Sequence, residues 1–331
     1  HFHCRFNRQL LRILFRSSHP GGVSFSPRGH GLSASSKLCG RAASILRIFP
    51  TTRSCPGTEI SPQGTTNLNR TIPQRIIQTG RSRDLSPMAR ASTASMRSLN
   101  PGFEFLFFDD NEVVDFIDKE FPHYREVFES FPHRIQRYDF FRYLAVFRLG
   151  GFYFDLDVFL ASPLDDLLTS QCVFPFEELT LNRFLRRHFE MDWEIGNYAF
   201  ASRPGHPFLE LVIQNCIRAQ ADPSWVRPML KGIPPLFRSA FYVLNTTGPG
   251  LLTRTLAESH GLHSSITVLF PPDVCDEEGW HAFGNYGVHL MDGSWRDKRP
   301  FLYRWLANFW ETRERKKLMV GSMALGKSRS L

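Results

Sequence analysis

The stretch from residue 134 to residue 157 constrains the fold most, because it predicts a helix that leads directly into a buried strand. Residues 134–149 are predicted to be helical, and Gly150-Gly151 ends the helix, since glycine is favoured just past a helix C-terminus. The strongly apolar run Phe152-Tyr153-Phe154 then begins a strand. A helix feeding a buried strand is typical of an α/β fold.

Two further strands are predicted upstream of this stretch. The β-branched run at 75–79 ends at Gly80, and residues 103–108 follow the turn Asn100-Pro101-Gly102. A helix from about residue 111 to residue 120 comes next. Because strands alternate with helices, we expect an α/β fold with a mainly parallel central sheet.

A pair of carboxylates closes the apolar strand at 152–154. Asp155 and Asp157 are two residues apart, so on an extended chain their side chains point to the same side. Such a pair has a high cost unless a positive charge lies between them, and a hard divalent cation prefers oxygen ligands. The pair therefore predicts a cation site, although two strand-end carboxylates that merely face solvent fit this short motif as well.

The preceding helix places a second polar pair close to the first in sequence. Asp139 and Arg142 are three residues apart and share one helix face. A guanidinium and a carboxylate beside a fixed cation suit the hydroxyls and phosphates of a sugar donor. The alternative is a surface salt bridge, which contributes little to stability.

The formal net charge of +8 belongs to the N-terminal segment. The first 58 residues contain nine Lys or Arg and no acidic residue, so the remainder has 31 basic and 32 acidic residues. Charge therefore gives no support to nucleic-acid binding.

We expect a disordered basic segment at 1–70, one domain at 71–311 and a loose basic tail at 312–331. No apolar stretch reaches the roughly 20 residues that span a bilayer, so membrane association would require a missing or cryptic anchor.

The polar residues between 139 and 157 resemble a known motif. The run Asp139-x-x-Arg142, followed by Gly150-Gly151-x-Tyr153-x-Asp155-x-Asp157, resembles the DXD sugar-binding region of glycosyltransferase family 32. That family includes fungal initiating α-1,6-mannosyltransferases and inositolphosphoceramide mannosyltransferases. The likeness extends over roughly 72–300 through shorter segments that contain Gln78 and Thr79, Asn197, His289, and Ser294 and Trp295.

The resemblance implies a nucleotide-sugar-binding fold of the GT-A type and a retaining hexosyltransferase, with mannose favoured. It implies catalytic roles for Asp139, Arg142, Asp155 and Asp157, and Mn²⁺ or Mg²⁺ bound by Asp155, Asp157 and His289. The residues implied to contact the donor are Gln78, Thr79, Asp139, Arg142, Asn197, Ser294 and Trp295. The donor would be GDP-mannose or a UDP-hexose, the acceptor a hydroxyl of a glycan or glycolipid, and the location the Golgi or secretory-pathway lumen.

The chain departs from the family's opening strand, where Ile77 and Gly80 replace the usual His and Trp. Contacts to the nucleotide base are therefore not predicted. Two other interpretations stay open. A haloacid-dehalogenase-type phosphatase would use Asp155 as its nucleophile, and a catalytically inactive module would bind the sugar nucleotide without turnover.

Overall fold

The computed structural model describes residues 71–274, 276–291 and 301–327. Its strands are β1 (Arg75–Thr79), β2 (Glu104–Phe108), β3 (Gly151–Phe154), β4 (Val158–Leu160), β5 (Cys172–Leu179), β6 (Trp193–Ile195), β7 (Ala199–Ser202), β8 (Ile266–Leu269), β9 (Ala282–Phe283) and β10 (Gly287–His289). Its α-helices are α1 (Pro87–Leu99), α2 (Asp110–Glu120), α3 (Arg125–Ser130), α4 (Arg134–Leu149), α5 (Arg183–Phe189), α6 (Pro207–Ala221), α7 (Pro223–Val226), α8 (Arg238–Thr246), α9 (Pro249–Glu258) and α10 (Phe301–Lys327).

The central sheet has the strand order β2-β1-β3-β7-β5-β6, and β8 pairs with β5. Strand β1 is parallel to both β2 and β3, and β8 is parallel to β5. Strand β7 is antiparallel to β3 and to β5, and β6 is antiparallel to β5. Five of these strands therefore run in one direction and two oppose them. The predicted α/β fold with a mainly parallel sheet is confirmed.

The strands and helices predicted around the motif occur where expected. Strand β1 covers the predicted residues, α4 has the predicted bounds, and β2 and α2 each differ by one residue. Helix α1 was not predicted. Its start has a recognisable signal, because Ser86 caps the helix by accepting a hydrogen bond from the Ala89 amide and Pro87 occupies the first turn.

Aromatic side chains form much of the core, as their clustering in the sequence suggests. Helix α4 buries Phe140, Phe141 and Tyr143 completely. The Phe200 ring of β7 lies 5.8 Å from the Tyr143 ring and 5.6 Å from the Tyr153 ring of β3. Burying one such side chain contributes about 1.5–3 kcal/mol, so this packing holds α4 firmly against the sheet.

The glycine pair between α4 and β3 permits a close approach of backbones. Gly150 and Gly151 have φ values of 66° and 106°, which favour glycine. A Cβ atom on Gly151 would lie 2.7 Å from the Arg75 carbonyl oxygen of β1. The pair thus fixes the path from the polar face of α4 to the end of β3.

The chain ends lie partly outside the described residues. The segment 1–70, predicted to be disordered, is not among them. The described residues up to Glu311 belong to one compact unit, and the described residues from Thr312 onward belong to a second unit. Helix α10 continues into the predicted tail as far as Lys327. Within the described ranges, no helix is both long and apolar enough to cross a membrane.

Candidate active site

The two aspartates of the motif lie in a turn and not on the strand. Strand β3 ends at Phe154, and the Val158 amide donates to the Asp155 carbonyl oxygen at 3.1 Å. The expected extended geometry at Asp155 and Asp157 is therefore wrong. The turn nevertheless brings both carboxylates to the same place, with side chains 28% and 21% exposed.

A small second sheet brings a histidine to this turn. Its order is β4-β10-β9, and the register pairs His289 of β10 with Val158 of β4. The His289 Nε2 atom lies 3.3 Å from Asp157 Oδ1, and the Leu290 amide donates to the Asp157 carbonyl oxygen at 2.9 Å. Asp155, Asp157 and His289 each offer a ligand atom, and these atoms lie within 4.8 Å of one another. We call these three residues the cation triad.

The electrostatics of the cation triad favour an added positive charge. Burial raises the pKa of Asp155, the Arg142 charge opposes this rise, and the neighbouring Asp157 adds to it. Burial alone would lower the pKa of His289, but the hydrogen bond and the charge of Asp157 raise it overall. Two carboxylates and an imidazole that converge in this way suit a divalent cation.

The Asp139–Arg142 pair is buried, so the surface salt-bridge interpretation is wrong. The two side chains are 5% and 3% exposed, and Arg142 Nη2 lies 3.2 Å from Asp139 Oδ1. The same nitrogen lies 3.3 Å from Asp155 Oδ1. Arg142 Nη1 donates to the Asn197 carbonyl oxygen at 2.7 Å. The guanidinium therefore connects α4 to the cation triad.

Further polar groups complete the surroundings of Asp139. The Thr247 hydroxyl donates to Asp139 Oδ2 at 2.8 Å, and Asn197 Nδ2 donates to Oδ1 at 3.0 Å. The Tyr143 hydroxyl donates to the Thr247 carbonyl oxygen at 2.6 Å. We call Asp139, Arg142, Tyr143, Asn197 and Thr247 the polar cage. Burial raises the pKa of Asp139 to about 6, although Arg142 and Thr247 oppose the rise.

The residues of β1 and β3 line the adjoining side. The Tyr153 hydroxyl donates to Asp155 Oδ1 at 2.8 Å and lies 3.1 Å from Thr79 Oγ1. The Arg142 guanidinium carbon lies 4.6 Å from the centre of the Tyr153 ring. Gln78 accepts a hydrogen bond from Thr93 at 3.0 Å. Its buried Nε2 has no hydrogen-bond partner in the described part of the chain.

The structure thus brings together most of the residues that the sequence predicted for the site. Asp139, Arg142, Asn197, Asp155, Asp157 and His289 are in one connected group, and Thr79 reaches it through Tyr153. Ser294 and Trp295 lie outside the described residues. Sequence reasoning assigned no site role to Tyr143, Tyr198 or Thr247. The sequence offered only their positions as a signal of a role in the site. Tyr143 lies one helical turn after Asp139, Tyr198 directly follows Asn197, and Thr247 begins the Thr247-Gly248-Pro249 turn.

Part of the chain is similar in sequence to known glycosyltransferases. Residues 88–174 match the family model described as "Glycosyltransferase sugar-binding region containing DXD motif". Inositol phosphoceramide mannosyltransferase 1 of Schizosaccharomyces pombe is 29% identical over 148 residues, which are 44% of this chain and 42% of that protein. Inositol phosphoceramide mannosyltransferase 3 of the same organism is 27% identical over 251 residues, 74% of this chain and 61% of that protein.

A third relative is Mannosyl phosphorylinositol ceramide synthase SUR1 of Saccharomyces cerevisiae, 28% identical over 174 residues, 52% of this chain and 42% of that protein. The matches thus span 42% to 61% of the lengths of these three relatives. Among solved structures, "PaToxG Glycosyltransferase" has a TM-score of 0.39 and 13% identity, with 58% of this chain and 72% of that chain covered. That structural likeness is too weak to carry an argument. The sequence comparisons confirm the resemblance to DXD-containing glycosyltransferases.

Proposed function

We propose, from the premise that residues 88–174 contain the DXD sugar-binding region of a glycosyltransferase, that this protein transfers a hexose to a hydroxyl acceptor. The donor is a nucleotide-diphosphate sugar, with GDP-mannose favoured over a UDP-hexose. The transfer retains the anomeric configuration on a fold of the GT-A type. The observation that carries the proposal is the convergence of the cation triad with the polar cage through Arg142.

The cation triad has the chemistry that a divalent cation requires. It supplies two carboxylates and one imidazole, and its donor atoms are within reach of a common point. Asp155, Asp157 and His289 would hold Mn²⁺ or Mg²⁺. A bound cation would neutralise charge that develops on the diphosphate leaving group. The backbone holds the triad in place, since Asp155 N donates to the Tyr198 carbonyl oxygen and Leu290 N donates to that of Asp157.

The polar cage would hold the hexose. Its hydrogen bonds fix Arg142 and Asn197 before any ligand arrives, which removes the cost of ordering them during the reaction. The Arg142 Nε atom is buried and has no hydrogen-bond partner among the described residues. Thr79 and Tyr153 would line the nucleotide side. Asp139 would act chiefly by keeping Arg142 and Asn197 in position, because both of its oxygens already accept hydrogen bonds.

A small cavity of about 30 Å³, enough for one or two water molecules, is lined by residues that lie close to the polar cage in the sequence. Its lining includes Glu194 and Asn245, which precede Asn197 by three residues and Thr247 by two. The lining combines carboxylates and amides with apolar side chains: Glu178, Leu181, Asn182, Glu194, Met229, Ile233, Phe241, Leu244, Asn245 and Gly250. The acceptor would be a hydroxyl group of a glycan or a glycolipid, in the Golgi or secretory-pathway lumen.

The two rival interpretations receive less support. A phosphatase needs an aspartate free to attack, whereas Asp155 accepts hydrogen bonds from Tyr153 and Arg142. An aspartyl-phosphate trapped on Asp155 would favour the phosphatase. An inactive binding module would bind a sugar nucleotide without turnover of any acceptor.

A donor screen in the presence of Mn²⁺ tests the proposal. The panel pairs GDP-mannose and UDP-hexoses with methyl mannoside, myo-inositol and inositol phosphate as acceptors. We expect transfer from GDP-mannose to a hydroxyl group of one of these acceptors, with NMR showing that the product retains the anomeric configuration. Asp157→Ala should lower the rate by about 10³-fold, comparable to the loss of one strong electrostatic contact in an active site. The matched control is Asp115→Ala on the exposed side of α2. Normal activity in folded Asp157→Ala would disprove the role of the cation.

A further inference from the structure

Tyr198 contacts both sides of the cation triad. It lies between β6 and β7 and is 2% exposed. Its carbonyl oxygen accepts a hydrogen bond from the Asp155 amide at 2.7 Å. Its ring stacks on the His289 ring, with the centres 4.3 Å apart and the planes 16° from parallel. One residue thus touches the backbone of one candidate ligand and the side chain of another.

The His289 ring has little else to fix its plane. Its Nε2 atom faces Asp157, whereas its buried Nδ1 atom makes no hydrogen bond to any described residue. Histidines that bind metals usually donate their second ring N–H to a carboxylate, a carbonyl or water, and this contact sets the ring orientation. Here the flat face of Tyr198, stacked on the imidazole, restrains the ring plane in the absence of such an in-plane contact among the described residues.

The ring of Tyr198, and not its hydroxyl group, makes the contact. The hydroxyl oxygen is buried and has no hydrogen-bond partner in the described ranges. Gly196 leaves the space that this ring occupies, because a Cβ atom there would lie 2.6 Å from Tyr198 Cε1 and 2.3 Å from Glu177 Oε2. A side chain at position 196 would therefore displace the aromatic ring, the Glu177 carboxylate or both.

We infer that Tyr198 is a positioning residue of the cation site, which holds the imidazole of His289 in the plane needed for ligation and which requires glycine at position 196. This inference rests on the proposed cation-binding function. Stacked aromatic rings attract one another beyond the effect of their burial, and this attraction favours one orientation of the imidazole.

The test is an Mn²⁺ titration of the whole chain without donor, in which electron paramagnetic resonance reports free Mn²⁺. Tyr198→Met fills the space without a flat face and should weaken Mn²⁺ binding by about 10-fold, as losses around a metal ligand typically do. Tyr198→Phe keeps the ring and should bind within about twofold of the wild type. In a His289→Ala background, Tyr198→Met should cause no further loss, because the two residues act through one contact.

Gly196→Ala is a second perturbation that leaves Tyr198 in the chain, and it carries the test if Tyr198→Met does not fold. It too should weaken Mn²⁺ binding. The inference is overturned if a folded Tyr198→Met protein binds Mn²⁺ like the wild type, or if its loss adds fully to that of His289→Ala. A wild-type protein that fails to bind Mn²⁺ would instead refute the proposed cation site, so the two failures are distinguishable.

Discussion

The polar cage and the cation triad are adjacent but differ in how their charges are satisfied. In the cage, Asp139 and Arg142 are about 95% buried, and the protein itself supplies partners for the carboxylate. In the triad, the side chains of Asp155, Asp157 and His289 are between 16% and 28% exposed. Two carboxylates from the turn after β3 meet the imidazole of a histidine on β10, a strand of the second sheet.

This difference indicates that the two groups have different tasks. A buried network with its hydrogen bonds made keeps its geometry, but it is costly to break at any one member. A partly open group of like charges is improved by an external cation. Arg142 belongs to the cage and also contacts Asp155, so it connects the two. The predictions below would break or sharpen this contrast.

Removal of the guanidinium should have the largest effect on stability. Arg142→Met leaves Asp139 buried without its cation, and breaking a buried pair in this way costs about 3–5 kcal/mol. Arg148→Met, on the exposed side of the same helix, removes only a surface pair with Glu120 and should cost far less. Chemical denaturation of both variants provides the measurement. Equal losses would mean that the cage is not a buried network.

Asp139 should make stability depend on pH. Its pKa is raised by burial to about 6 in the folded protein, from an ordinary value of 3.8. Between these values the folded state holds a proton that the unfolded state lacks, so the free energy of unfolding should fall as the pH rises. Across this pH range the titration of Asp139 should lower the free energy of unfolding by about 3 kcal/mol. The difference between the wild type and Asp139→Asn should therefore vary between pH 4 and 6, and a constant difference would show that Asp139 stays ionised.

The smallest effect is expected from Mn²⁺ on the free energy of unfolding. At a concentration ten times its Kd, a ligand that binds only the folded state stabilises it by about 1.4 kcal/mol. Thermal denaturation with and without Mn²⁺ should show this gain in the wild type and in Asp115→Ala, but not in Asp157→Ala. A gain of the same size in Asp157→Ala would place the cation outside the triad.

Local sequence signals predicted the framework of the site well. The β-branched run at 75–79 and the glycine pair after residue 149 located β1 and the end of α4. The spacing of Asp139 and Arg142 placed them on one helix face, and the structure pairs them. These features depend on neighbours within a few residues, which is the range that periodicity and capping report.

Features that depend on distant segments were not predictable. The hydrogen bond from Thr247 to Asp139 joins residues that are 108 positions apart, and no local sequence pattern predicts it. The stacking of Tyr198 on His289 requires both β10 beside β4 and β7 beside β3. Even the turn at Asp155 was missed, because its hydrophobic lead-in resembles a strand that continues. Resemblance to a family suggested His289, whereas residue spacing alone did not.

The contact between Gly151 and β1 has a consequence for how variants of this protein would be interpreted. A methyl group at Gly151 would press against the carbonyl of Arg75 and force β1 and β3 apart, although neither residue belongs to the triad or the cage. A Gly151→Ala variant would therefore show lost activity together with low protein abundance. Such a phenotype would reflect the lost backbone contact between β1 and β3 and would reveal nothing about substrate specificity.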